Sequence, residues 1–165
     1  MRHKNKGFTL AELLIVVAII GVLVAISIPI FSKQLEKARD AATLANLRNV
    51  YAEVQTEYIN QAGSTSGKNY WVNGGRHIFV TYQSNGSVII DAFVRIQSKK
   101  TSSQMQKFIN ESNLAYKGVM KVSNAVSPGT YELDFVYSSD GILTYVALKE
   151  LSAPFKKMDK PVSAS

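Results

Sequence analysis

The sequence predicts an α+β protein. A long N-terminal α-helix, apolar first and amphipathic afterwards, packs on a C-terminal antiparallel β-sheet of about four or five strands. Three observations carry this. Of the 24 residues from Phe8 to Phe31, only Glu12 is charged. Leu44, Leu47, Tyr51, Val54 and Tyr58 then recur at steps of three and four, one apolar stripe along a helix. Beyond Gly67, β-branched and aromatic runs flank Asn85-Gly86 and Asp140-Gly141, dipeptides that favour tight hairpins.

The chain reads as four stretches: 1–7, 8–31, 32–61 and 62–165. The first is a short basic peptide holding Arg2, Lys4 and Lys6 and no acid. The second, as a helix, is roughly 36 Å long, enough to cross a hydrocarbon core about 30 Å thick. Its basic flank places residues 1–7 in the cytoplasm and the body outside. A carboxylate inside hydrocarbon costs about 2.5–3.5 kcal/mol, so Glu12 needs a reason. A secretory signal has a shorter apolar run followed by a small-residue cleavage site, and neither condition is met here. Gly21 and Pro29 bracket a β-branched segment of low helix propensity, and Pro29 offers no N–H to the carbonyl of Ala25. A helix weak point is expected there, as a kink or as partial unwinding. The third stretch continues the helix, with charges on the faces away from the stripe, until Gly63–Gly67 stops it.

In the fourth stretch, Ile78–Tyr82 and Val88–Ile90 form one expected hairpin, closed by a two-residue Asn85-Gly86 turn. Residues 131–137 and 142–148 form the other, with Tyr131, Leu133, Phe135 and Tyr137 on one face. Pro128-Gly129 suggests a turn joining a strand near Gly118–Val122 to its successor. Ser102 is the expected cap of a short helix reaching Asn110. One sheet face should cover the Leu44–Tyr58 stripe, Trp71 should plug the seam, and the tail 156–165 should be loose.

Composition narrows the chemistry. The 165 residues carry a formal charge of +7, but with the first six set aside 16 basic residues face 12 acidic ones. No basic patch interleaved with aromatics stands out, so a nucleic-acid partner is not expected. The absence of cysteine removes thiol catalysis, thiolate zinc sites and iron–sulfur clusters. Of two histidines, His3 lies in the basic peptide and His77 opens a strand, where a structural role is expected. No nucleophile elbow, phosphate loop, zinc-protease or EF-hand pattern occurs, and Asp140 reads as hairpin chemistry. No catalytic residue, cofactor or metal site is expected.

Lys6-Gly7 followed by Phe8-Thr9-Leu10-Ala11-Glu12, with Gly21 and Pro29 further on, resembles the type IV pilin family. The match is close over residues 1 to about 35 and loose beyond 62. The resemblance implies cleavage between Gly7 and Phe8 by prepilin peptidase, and N-methylation of Phe8. It implies that Glu12 neutralises the Phe8 amine of a neighbouring subunit and so sets register. The apolar helices would sit in the cytoplasmic membrane before assembly and form the core of a homo-oligomeric helical filament outside the cell. An assembly platform and minor pilins would be partners. The C-terminal disulfide loop of many pilins of Gram-negative bacteria is missing here.

Two readings share this stem. One is a structural subunit of a type IV pilus, the major one by its simple globular domain, serving adhesion, aggregation or surface motility. The other is a pseudopilin of a type II secretion or DNA-uptake system. A membrane-anchored enzyme, from a different class, would leave Gly7 and Glu12 unexplained.

Overall fold

In a computed structural model, residues 8–61, 70–71, 78–123 and 128–151 are described. The elements are α1 (Leu10–Gln61), β1 (Tyr70–Trp71), β2 (Ile78–Tyr82), β3 (Val88–Ile96), α2 (Ser102–Glu111), a 3-10 turn (Lys117–Val119), β4 (Met120–Val122), β5 (Gly129–Tyr137) and β6 (Leu143–Lys149). Two compact units divide the chain, Met1–Ala38 and Arg39–Ser165. In the first, every residue from Phe8 to Leu35 is exposed. The helix continues unbroken through Pro29.

The second unit is built on a sheet ordered β1-β2-β3-β5-β6-β4, antiparallel throughout except where β4 runs parallel to β6. The expected four or five strands become six through the two-residue β1. Alternation sorts the sheet's faces. Ile90, Ala92, Val94 and Ile96 of β3 are buried together with Tyr131, Leu133, Phe135 and Tyr137 of β5. The apolar stripe of α1 packs on this face. Leu47 and Val54 are fully buried, and Tyr58 stacks on Tyr137 with ring centroids 4.0 Å apart. Tyr51 and Tyr116 lie 4.8 Å apart between helix and sheet, and the Tyr116 hydroxyl donates to the Leu47 carbonyl at 2.9 Å. That bond satisfies a polar tip that would otherwise be buried alone.

Both hairpins form, with a loop one residue longer than expected. The Gln83 carbonyl accepts from Gly86 N–H at 3.0 Å, and the Ser138 carbonyl accepts from Gly141 N–H at 2.9 Å. The loops are therefore Ser84-Asn85-Gly86 and Ser139-Asp140-Gly141, each ending in a glycine at φ +83° or +84°. A three-residue loop closed by a left-handed glycine matches strand twist as well as the two-residue form does.

Two further expectations are corrected. β4 does not pair with its successor through a turn at Pro128. Both sides of β5 are occupied by longer partners, nine-residue β3 and seven-residue β6, which leaves β4 the free side of β6. The cap of α2 is Thr101, whose N–H donates to Gln104 Oε1 at 3.0 Å, and Ser102 is the first helical residue. Gln106 of α2 then reaches the outer side of β4. Its Nε2 donates to the Met120 carbonyl at 3.0 Å, and its Oε1 accepts from Val122 N–H at 2.9 Å.

Candidate functional site

The start of α1 is a capping box. Thr9 N–H and Thr9 Oγ1 both donate to Glu12 Oε2, at 2.9 and 2.8 Å, and Glu12 N–H donates back to Thr9 Oγ1 at 3.3 Å. Leu13 N–H closes the first helical turn on the Thr9 carbonyl at 3.2 Å. The carboxylate sits where the positive end of a helix favours it. Thr9 was not among the residues singled out from sequence, although the Thr-x-x-Glu spacing that reveals it is readable there. Phe8, immediately before it, is 85 % exposed.

From Leu10 to Phe31 the helix presents Leu, Ile and Val on every side, all of them exposed within this chain. A helix apolar all round is buried by a membrane or by other helices. This one is long and apolar enough to cross a membrane. A Cβ added at Gly21 would meet nothing within 4 Å. Around Pro29, Ser27 Oγ donates to the Leu23 carbonyl at 2.7 Å and Ser32 Oγ to the Ile28 carbonyl at 3.0 Å. Back-bonding of this kind slightly destabilises helices and often bends them, and Pro29 between the two serines offers no N–H.

The body carries a second ionisable group of residues, on the sheet face turned away from α1. Asp91 of β3 lies opposite Asp134 of β5. Carboxylate oxygens of Asp91, Glu132 and Asp134 fall within 4.8 Å of one another. Lys149 of β6 bonds Asp134 at 2.6 Å and Glu132 at 3.2 Å. Lys149 thus bridges two of the three acids, and Asp134 Oδ1 is buried without a donor among the described residues. Burial, then the neighbouring Asp134 and Glu132, push the Asp91 carboxyl up to about 7. Because strand register brings these residues together, sequence reasoning missed the group.

Gly7 and His3 in 1–7, the stop at Gly63–Gly67, the Trp71 side chain, His77 and the tail from Lys156 lie outside the described residues.

Residues 2–28 match the family model of the prokaryotic N-terminal methylation motif. Over 48 residues the chain is 50% identical to the type IV major pilin protein PilA of Myxococcus xanthus, covering 29% of this chain and 22% of that protein. It is 43% identical over 81 residues to the type IV narrow pilus major component PilA5 of Thermus thermophilus, covering 41% of this chain and 70% of that protein. The chain belongs to the type IV pilin family. The fimbrial protein EcpB of Eikenella corrodens is 54% identical over 37 residues, 22% of this chain and 23% of that protein. The matched region thus spans under a quarter of the Myxococcus and Eikenella pilins and most of the Thermus one. No solved structure matches this pilin significantly.

Proposed function

We propose that this pilin is a structural subunit, the major one, of a type IV pilus. It is inserted in the cytoplasmic membrane with residues 1–7 inside and its body outside. Prepilin peptidase cleaves between Gly7 and Phe8 and methylates the Phe8 amine, and the subunit joins an extracellular helical filament through the assembly platform and minor pilins. The observation that carries this reading is the capping box, which fixes Glu12 one turn from Phe8 at the head of a helix apolar on every side.

Cleavage would leave an ammonium at Phe8. Both Thr9 bonds end on Glu12 Oε2, so Oε1 stays available to the ammonium of a neighbouring subunit. Breaking a buried ion pair costs about 3–5 kcal/mol, enough to reject a mis-set register when stems pack together. Gly21 and the Ser27–Ser32 segment around Pro29 would serve as the part of the stem that lengthens under load.

Intact-mass spectrometry of filaments sheared from cells tests the reading. The expected species begins at Phe8 and carries one extra methyl group. If that species instead stays with the membrane, the pseudopilin of a secretion or DNA-uptake system takes its place. A chain still bearing residues 1–7 would overturn both. Glu12→Ala should be processed normally yet reduce filament yield at least tenfold, and an unchanged yield would sink the pairing argument.

A further inference from the structure

An antiparallel sheet that turns one face to water alternates apolar and polar residues along each strand. β3 breaks that rule: it reads Val-Ile-Ile-Asp-Ala-Phe-Val-Arg-Ile, apolar at nearly every position. Register places Ile89, Asp91 and Phe93 of β3 on the face turned away from α1, beside Phe79 of β2 and Val136 of β5. Both described helices pack on the opposite face. Leu47 and Val54 of α1 and Met105 and Ile109 of α2 belong to its core, and none of these outer-face residues does. Even so, Glu132 of the outer face is 1 % exposed, and Phe79, Ile89, Phe93 and Val136 are half-buried. None of Phe79, Phe93 and Glu132 is without a partner. The outer face is thus closed to water in its middle, although neither described helix covers it.

Its centre is acidic. Asp91, Glu132 and Asp134 cluster there, and Lys149 bonds the latter two. The other bases of this face, Arg95 and Lys121, are exposed at its margins. β6 ends at Lys149, opposite Glu132, so the chain leaves the sheet beside the acids. The stretch 152–160 then reads Ser-Ala-Pro-Phe-Lys-Lys-Met-Asp-Lys. Phe155 and Met158 match the apolar surround, and three ammonium groups against one carboxylate match the acidic centre. Pro154 offers no N–H with which to continue a ladder. The distance also fits. β3 lies two strands from β6, about 10 Å across the sheet, and the six residues from Lys149 to Phe155 reach about 20 Å when extended.

We propose that segment 152–160 of this chain is the occupant of the outer face, with the Phe155 ring against Phe79 and Phe93 and the ammonium groups of Lys156 and Lys157 beside the acids. The sequence by itself leaves residues 156–165 loose, whereas this face offers them a surface of matching apolarity and charge. The chain has no cysteine, so the segment would close the body without a covalent staple. The seat lies wholly within the body and is independent of the pilus reading.

The test uses the full-length chain in micelles of an uncharged detergent, with a nitroxide on Val162→Cys and NMR detection of methyl and ring signals. The label should broaden Ile89, Val136 and Phe93 and spare Ile90 and Val94, which alternate onto the opposite face. Equal broadening on both faces, or none on either, would overturn the seat. Mixing labelled chains with isotope-enriched unlabelled ones tests for a second copy. Full broadening in that mixture would make another chain the occupant and overturn the proposal. Phe155→Ala should lower the ratio of seated to free segment about tenfold, as for a partly buried aromatic ring. Lys156→Gln together with Lys157→Gln should lower it about threefold, the effect of surface ion pairs, and added salt should act in the same direction. Lys107→Gln, on α2, should change nothing. Undiminished broadening in the combined Phe155, Lys156 and Lys157 variant, with its fold verified by circular dichroism, would overturn the recognition chemistry.

Discussion

At the scale of single residues, two carboxylates occupy opposite situations. Glu12 is exposed in the isolated chain and held by Thr9, whereas Asp91 is half-buried and faces Asp134, Glu132 and Lys149. Thr9→Val keeps the size of the side chain and removes its hydroxyl. It should cost about 1 kcal/mol at the helix start, and filament yield should fall by less than in Glu12→Ala. For Asp91 the folded pKa is about 7 against 3.8 as the ordinary value, so the folded chain holds this proton more tightly than the unfolded one. The stability it contributes is present below about pH 4 and is lost as pH rises to about 7. Asp91→Asn should therefore flatten the stability curve over that interval. At pH 8 it should exceed the parent by about 1–2 kcal/mol, a figure reduced for solvent screening. Thermal melts between about pH 4 and 8 decide it, and a parent curve that rises through the interval would contradict the raised Asp91 carboxyl. Glu12 was legible in sequence because a charge among apolar residues is conspicuous locally. Asp91 and Asp134 were not, because only strand register makes them neighbours.

At the scale of elements, the hairpins show how near a local reading comes. The dipeptides Asn85-Gly86 and Asp140-Gly141 marked both turns, but which residue pairs close them is decided by the flanking strands. Gly141 has φ +84°, and a Cβ there would sit 3.0 Å from the Tyr58 hydroxyl. Gly141→Ala should cost about 1–2 kcal/mol through left-handed strain alone, read from the urea midpoint. The stripe of α1 was legible because each member repeats at helical spacing, and Leu47 and Val54 prove fully buried. The place of β4 was not. Three residues carry too little pattern to choose a partner, and the choice followed from which longer strands had already flanked β5.

At the scale of the molecule, the two units answer to different surroundings. The body from Arg39 onward has its own core, in which Ile90, Leu133, Phe135, Val146 and Leu148 are almost fully buried. A chain beginning at Arg39 should fold cooperatively and stay monodisperse without detergent, whereas the full chain should require one. Circular dichroism melts and size-exclusion chromatography check both. Aggregation of the shortened chain would mean that the core depends on residues before Arg39. Within the body, Leu47→Ala should cost about 2–5 kcal/mol, because a fully enclosed site collapses poorly around a cavity. The apolar run from Phe8 to Phe31, exposed on every side, was legible from composition.

The amide of Gln106 occupies two main-chain bonding positions on the outer side of β4, as a neighbouring strand would. An open strand edge is a template for sideways growth into amyloid, and the hazard rises with crowding. In the filament proposed above, many copies would stand shoulder to shoulder, at the concentration where that hazard is greatest. One glutamine side chain blunts this margin of the sheet, and in such a filament the joining of copies would fall to the apolar helices.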